Sequence, residues 1–128
     1  MYFQSTEKSP IYLQIIQKIK ADIISGRLKA GNKMSSVREM SENYKVNPNT
    51  MQRVFLELER EGITYSQRGI GTFVSEENEL LERLLTTQAK KYTQRFVNEM
   101  KELGMQKGQV MKYLKLVLED DEDETIRS

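Results

Sequence analysis

Two short helical segments, each with its own start signal, stand almost end to end between Ser36 and Gly62, and no other feature of the chain constrains the fold as strongly. The first opens with Ser36-Val37-Arg38-Glu39. Ser36 and Glu39 have the Ser-x-x-Glu spacing in which a hydroxyl and a carboxylate each cap the other residue's backbone N–H. Val37, Met40 and Tyr44 form its inner stripe, and it ends near Lys45. The second segment opens with Asn47-Pro48. Asn caps well, and Pro suits the first helical position because the N–H it lacks would be unpaired there. Met51, Val54, Phe55 and Leu58 follow at helical spacing, and Gly62 stops the run. A short helix, a tight turn around Val46 and a longer helix make the helix-turn-helix pattern.

The flanks fit the same pattern. Ser9 is a candidate cap and Pro10 a candidate first helical residue for a stripe of Ile11, Ile15, Ile16, Ile19, Ile23 and Ile24. Gly26 ends that helix, and a loop containing Gly31 runs from Leu28 to Met34. After Gly62 the period changes. Ile63 to Gln67 alternates and is rich in β-formers, Arg68-Gly69-Ile70-Gly71 reads as a turn, and Thr72-Phe73-Val74 returns as a strand. This predicts a β-hairpin, a wing, directly behind the second helix of the pair.

Composition shifts at Ser75-Glu76-Glu77-Asn78. A long stripe follows through Leu80, Leu81, Leu84, Leu85, Ala89, Tyr92, Phe96, Met100 and Leu103, with no Gly or Pro before Gly104. A last amphipathic helix carries Val110, Met111, Leu114, Val117 and Leu118. Residues 119–124 are six consecutive acids, expected to be disordered by self-repulsion. Residues 1–9 read as a lead-in, with Tyr2-Phe3-Gln4-Ser5 either a native arm or the remnant of a cleaved tag. The expected fold is mainly α with a small β-hairpin. A winged helix-turn-helix occupies 1–75, and a two-helix dimerisation region with an acidic tail occupies 76–128. Two helices cannot close a core by themselves, so they must cover the first region or a second chain. Leu80, Leu81, Leu84, Leu85, Tyr92, Phe96, Met100, Leu103, Val110 and Leu114 are the expected dimer contacts.

With 128 residues the chain is one domain, or one domain with an appendage. It has no Cys and no His, which excludes disulfides, thiolate or imidazole metal sites and Cys–His or Ser–His nucleophiles. Carboxylate pairs such as Glu57 and Glu61 are exposed helix neighbours, with no Gly-rich phosphate loop to accompany them. No enzyme chemistry and no cofactor is therefore expected. Neither a membrane-spanning run nor a signal-peptide core is present, so the expected location is the cytoplasm. The net charge of +1 conceals an asymmetry. Residues 1–75 hold eleven basic and seven acidic residues, whereas residues 76–128 hold nine and twelve. A mildly basic first part and an acidic rear suit moderate, salt-sensitive attraction to a polyanion.

The polar face of the second helix of the pair carries Asn47, Asn49, Thr50, Gln52 and Arg53. Asn and Gln can pair bidentately with adenine, Arg with guanine, and Thr can touch a thymine methyl. A helix with these groups in its first turns has what a major-groove reader needs, although an ordinary solvated face would look the same in isolation. Arg38 lies in the first turn of its helix, where a cation opposes the helix dipole. It reads either as a phosphate contact or as an ion pair with Glu42 at i,i+4. Arg68 and Gly69 give the wing a slim basic tip that fits a minor groove, or form a plain hairpin turn. Behind the wing, Lys91, Tyr92, Arg95 and Phe96 could instead line a pocket for an unidentified small-molecule effector.

From Pro10 to Val74 the sequence resembles the GntR family of bacterial transcription regulators. The matching residues are Pro10-Ile11-Tyr12, Gln14-Ile15, Gly26, Leu28, Gly31, Ser36, Arg38, Val46 through Thr50, Leu58, Glu61-Gly62, Arg68-Gly69 and Gly71-Thr72-Phe73-Val74. The resemblance implies DNA contacts by Arg38, by Asn49, Thr50 and Gln52 on the recognition helix, and by Arg68 and Gly69 at the wing tip; Ser36, Asn47 and Arg53 are further expected contacts. Asn47-Pro48 replaces the Ser-Arg of most members, Ser35 a usual Pro and Ser41 a usual Ala. Val46-Asn47-Pro48-Asn49-Thr50 with Leu58-Glu59-Arg60-Glu61-Gly62 is similar to the YtrA subfamily. That likeness implies a homodimer joined through two C-terminal helices, repressing an operon from a near-palindromic operator, often an operon for an ABC transporter. A protein–protein adaptor on the same fold, without specific DNA binding, is the alternative.

Overall fold

A computed structural model of the chain describes the backbone of residues 9–127 and the side chains of residues 9–122. The lead-in Tyr2-Phe3-Gln4-Ser5 lies outside the described residues. In chain order the elements are α1 (Ile11–Ile24), α2 (Val37–Tyr44), α3 (Pro48–Arg60), β1 (Thr64–Gln67), β2 (Gly71–Val74), α4 (Leu80–Glu102) and α5 (Lys107–Arg127). Packing divides the chain into two compact units, Met1–Leu85 and Thr86–Ser128.

The first unit closes around the apolar stripes expected from spacing. Ile15, Ile16, Ile19 and Ile23 of α1 meet Met40 of α2 and Met51, Val54, Phe55 and Leu58 of α3. Ile63 and Val74 seal the base of the hairpin. Fully burying an aliphatic side chain of this size contributes about 1.5–3 kcal/mol, so this core is the main source of the unit's stability. Lys20 of α1 is buried apart from its tip, and its ammonium reaches Glu61, at the end of α3, at 3.3 Å.

Local signals fix the helix ends. Ser36 accepts the Glu39 N–H at 3.1 Å, and the Glu39 carboxylate accepts the Ser36 N–H at 3.3 Å, completing the reciprocal cap of α2. Asn47 Oδ1 accepts the Asn49 N–H at 2.7 Å, with Pro48 at the first position of α3. The turn between them passes through Lys45, which has a left-handed backbone at φ 56°. The start of α1 differs from expectation by one residue. Pro10 is the N-cap, with no side-chain cap, and the Ser9 carbonyl accepts from the Gln14 side-chain amide at 2.9 Å. Proline's fixed φ suits the residue before a helix as well as the first residue within it.

β1 and β2 pair antiparallel from Thr64↔Val74 to Gln67↔Gly71. A third short segment joins them. The Gly31 N–H donates to the Val74 carbonyl, Val74 donates to Asn32, and Met34 donates to Thr72, all at 2.8–2.9 Å. Lys33 thereby bridges to Phe73, and the stretch read from sequence as a plain loop becomes an added edge to the wing.

Two expectations for the rear of the chain change. Leu80 and Leu84, expected as dimer contacts, are 2% and 4% exposed and belong to the core of the first unit. The first turns of α4 complete that core, so these two side chains have no free surface to offer a partner. The acids at 119–124, expected to be disordered, lie within α5, which runs on to Arg127. No Gly or Pro interrupts α5 beyond Gly108, and extending an existing helix requires far less than starting one.

Candidate nucleic-acid interface

α3 presents two different long faces. Met51, Val54, Phe55 and Leu58 point into the core. Asn49, Gln52, Arg53, Leu56, Glu59 and Arg60 are exposed, and Thr50 is half-buried on the flank. The amide side chains of Asn49 and Gln52 therefore stand on the outward ridge of the first two turns, where a groove reader needs them. Asn47 is exposed as well, but its Oδ1 is engaged in capping, which leaves its amide NH2 as the available donor.

Cations surround this ridge. Arg38 on α2 is 90% exposed and pairs with Glu42 at 3.5 Å, itself 68% exposed. A pair so open to water is worth a fraction of a kcal/mol, and Arg38 can exchange it for a phosphate. Arg53 lies over the ring of Tyr12 from α1, with Cζ 3.7 Å from the ring centroid. On the far flank of α3, Glu59 accepts the Ser66 N–H of β1 at 3.2 Å, which ties the wing to the recognition helix. Glu57 and Arg60 form an exposed pair at 2.6 Å. The hydrogen bond from Arg60 holds the Glu57 carboxyl below its ordinary range.

The wing is stiffened by stacking of Tyr65 on Phe73, with centroids 5.7 Å apart. Its tip, Arg68-Gly69-Ile70, is wholly exposed, and Ile70 N–H closes the turn onto the Gln67 carbonyl at 2.9 Å. Gly71 has φ 145°, and a Cβ there would lie 2.8 Å from Lys33 Cε. The stem of Lys33 thus lies across the backbone of Gly71, and its ammonium joins the cleft between the wing and the start of α2. Ser36, with its hydroxyl already accepting the cap, borders the same cleft. Sequence reasoning missed Lys33, because a single lysine in a loop carries no signal until the loop pairs with β2. It also missed Tyr12, which reads in sequence as one more residue of a helix.

The expected dimer contacts fall into three groups. Leu80 and Leu84 are in the core of the first unit, as described. Leu81, Leu85, Tyr92 and Leu103 are 50%, 53%, 45% and 71% exposed. Phe96, Met100, Val110 and Leu114 are half-buried. The structure adds Met111, Tyr113, Leu116, Val117 and Leu118 of α5 to the exposed apolar side chains. Of the residues named for an effector pocket, Arg95 pairs with Glu99 at 3.9 Å. No helix among the described residues is long and apolar enough to cross a membrane.

A recognition helix with an outward amide ridge, a capped helix before it carrying Arg38 and a basic-tipped wing define a winged helix-turn-helix of the DNA-binding kind. Residues 11–74 match the family described as bacterial regulatory proteins, gntR family, and the chain belongs to it. It is a transcriptional regulator, not an enzyme. It is 42% identical over 117 residues to the HTH-type transcriptional regulator YhcF of Bacillus subtilis, covering 91% of this chain and 95% of YhcF. Over 68 residues it is 48% identical to the HTH-type transcriptional repressor YtrA of Bacillus subtilis, covering 53% of this chain and 52% of YtrA. Among solved structures it resembles a GntR family transcriptional regulator from Listeria monocytogenes, with TM-score 0.80 and 38% identity, covering 88% of this chain and 97% of that one. It also resembles the AraR DNA-binding domain in complex with operator ORX1, with TM-score 0.54 and 26% identity, covering 59% of this chain and 95% of that one.

Proposed function

We propose that the protein is a homodimeric transcriptional repressor acting in the cytoplasm on a near-palindromic operator. The observation that carries this reading is the exposed ridge of Asn49 and Gln52 on α3, flanked by the weakly paired Arg38 and by the Arg68-Gly69 wing tip. In this reading α3 enters the major groove, with Asn49, Gln52 and the Thr50 flank meeting base edges. Asn47 supports them through its free amide, and Ser36 and Arg38 hold the backbone. The wing tip enters the adjacent minor groove, where Arg68 meets enhanced negative potential. The operator complex formed by the similar AraR domain supports a DNA partner. The similarity to the repressor YtrA supports repression, and the YtrA-like resemblance points to an ABC-transporter operon as the target.

Two-fold operators need two reading heads, and the second unit offers a means of pairing them. Tyr92, Leu103, Val117 and Leu118 of that unit are large apolar side chains left about half exposed or more. Burying them against a second copy removes that surface from water. An effector that acts on the second unit would alter the spacing of the heads.

The test of DNA contact is Arg38→Ala. Loss of one phosphate contact is expected to weaken binding to specific and unrelated duplexes alike, and to flatten the salt dependence by about one unit. Unchanged affinity and salt slope would remove Arg38 from the interface. A wild-type protein with no DNA affinity at physiological salt would favour the adaptor reading.

A further inference from the structure

α1 and α3 run side by side in the same direction. Tyr12 meets Arg53 and Lys20 meets Glu61, the same separation in sequence at both contacts. Arg53 lies one turn beyond Asn49 on the exposed side of α3, and its guanidinium reaches over Tyr12 of α1. It leans toward α1, at the edge of the recognition helix.

The contact has a definite geometry. Arg53 Cζ lies 3.7 Å from the Tyr12 ring centroid. The guanidinium carbon thus sits over the face of the ring. An arginine stacked on a ring can still offer N–H groups to an acceptor. Among the described residues Arg53 makes no close ion pair, unlike Arg38 and Arg60, although its charge helps hold the Glu57 carboxyl below its ordinary range. Tyr12 is half-buried and packs against the core, which makes it a firm platform.

We propose that Tyr12 is a positioning residue that holds Arg53 at the α1 edge of the recognition helix to grip a backbone phosphate, rather than to read a base. This rests on the DNA-binding reading above. An arginine fixed before binding loses less rotamer freedom on contact. The lean of its guanidinium onto Tyr12 of α1 suits the phosphate wall of the groove.

The test is a double-mutant cycle in the full chain, with Tyr12→Leu, Arg53→Ala and both together, and Tyr12→Phe as the conservative control. Binding is measured on a duplex enriched by the wild-type protein from a random pool and on a scrambled duplex, over a range of salt. Arg53→Ala is expected to weaken both duplexes by a similar factor and to flatten the salt slope by about one unit. Tyr12→Leu is expected to lose about three-fold, as for a partly exposed cation–π contact. Tyr12→Phe, which keeps the ring, should bind like wild type. The double variant should bind like Arg53→Ala alone. Circular dichroism melting of each variant separates misfolding from lost positioning. If Tyr12→Leu is folded and binds like wild type, or its loss multiplies with that of Arg53→Ala, the positioning role is wrong. If Arg53→Ala changes which sequences are enriched, the phosphate assignment is wrong. A wild-type protein that binds neither duplex overturns the DNA reading itself, and that outcome is visible before any variant is made.

Discussion

Thr64 carries the one buried side-chain polar atom without a hydrogen-bond partner among the described residues, its Oγ1. Such a hydroxyl costs about 1–3 kcal/mol relative to a paired one. Thr64→Val keeps the shape and the β-branching while removing the unpaired group. It is expected to raise the unfolding midpoint in urea by an amount worth about 1 kcal/mol. A lower midpoint would mean that the hydroxyl has a partner in solution. At this scale the sequence was legible wherever a cap or spacing rule applied. Ser36–Glu39 and Asn47-Pro48 behave as those rules require, because helix caps are local. Tyr12 and Arg53 were legible only as separate residues. Their stack depends on which way two helices run past each other, and no local period encodes that.

Among the elements, the wing departs most from its sequence reading. The hairpin from Thr64 to Val74 was expected, but the pairing of residues 31–34 onto β2 was not. That segment has no alternating pattern; Gly31 and the single bridge at Lys33 suffice to form it. Gly71 sits where the wing turn meets this added edge, with φ 145° and Lys33 lying across it. Gly71→Ala should cost about 1–3 kcal/mol of stability through backbone strain alone. The Lys33 tip can swing aside, so the strain should outweigh the clash. Urea unfolding is the check, and an unchanged midpoint would contradict the turn geometry. α4 teaches the complementary lesson. Leu80, Leu81, Leu84 and Leu85 have one helical spacing, yet Leu80 and Leu84 fill the core and Leu81 and Leu85 remain about half exposed. Periodicity identifies apolar residues, but which surface covers each of them is a tertiary matter.

For the whole molecule, the charge asymmetry and the exposed apolar side chains of the rear unit describe a division of labour. Residues 1–75, net basic, face a polyanion, and residues 76–128, net acidic, carry the surface proposed to pair two copies. Sedimentation equilibrium is expected to give twice the chain mass of 15.0 kDa. Val117→Glu combined with Leu118→Glu should shift the protein toward monomer and weaken operator binding far more than binding to scrambled DNA. A wild-type monomer at micromolar concentration would remove the paired-head account while leaving the winged helix untouched.

The central claim is that α3 reads DNA sequence through its outward amide ridge. Site selection from a random duplex pool, run in parallel with wild type and Gln52→Ala, tests it most directly. The account predicts a two-fold symmetric motif for wild type, with Gln52→Ala relaxing one position in each half and leaving the others intact. Identical motifs from the two proteins, or no enrichment by wild type, would contradict it.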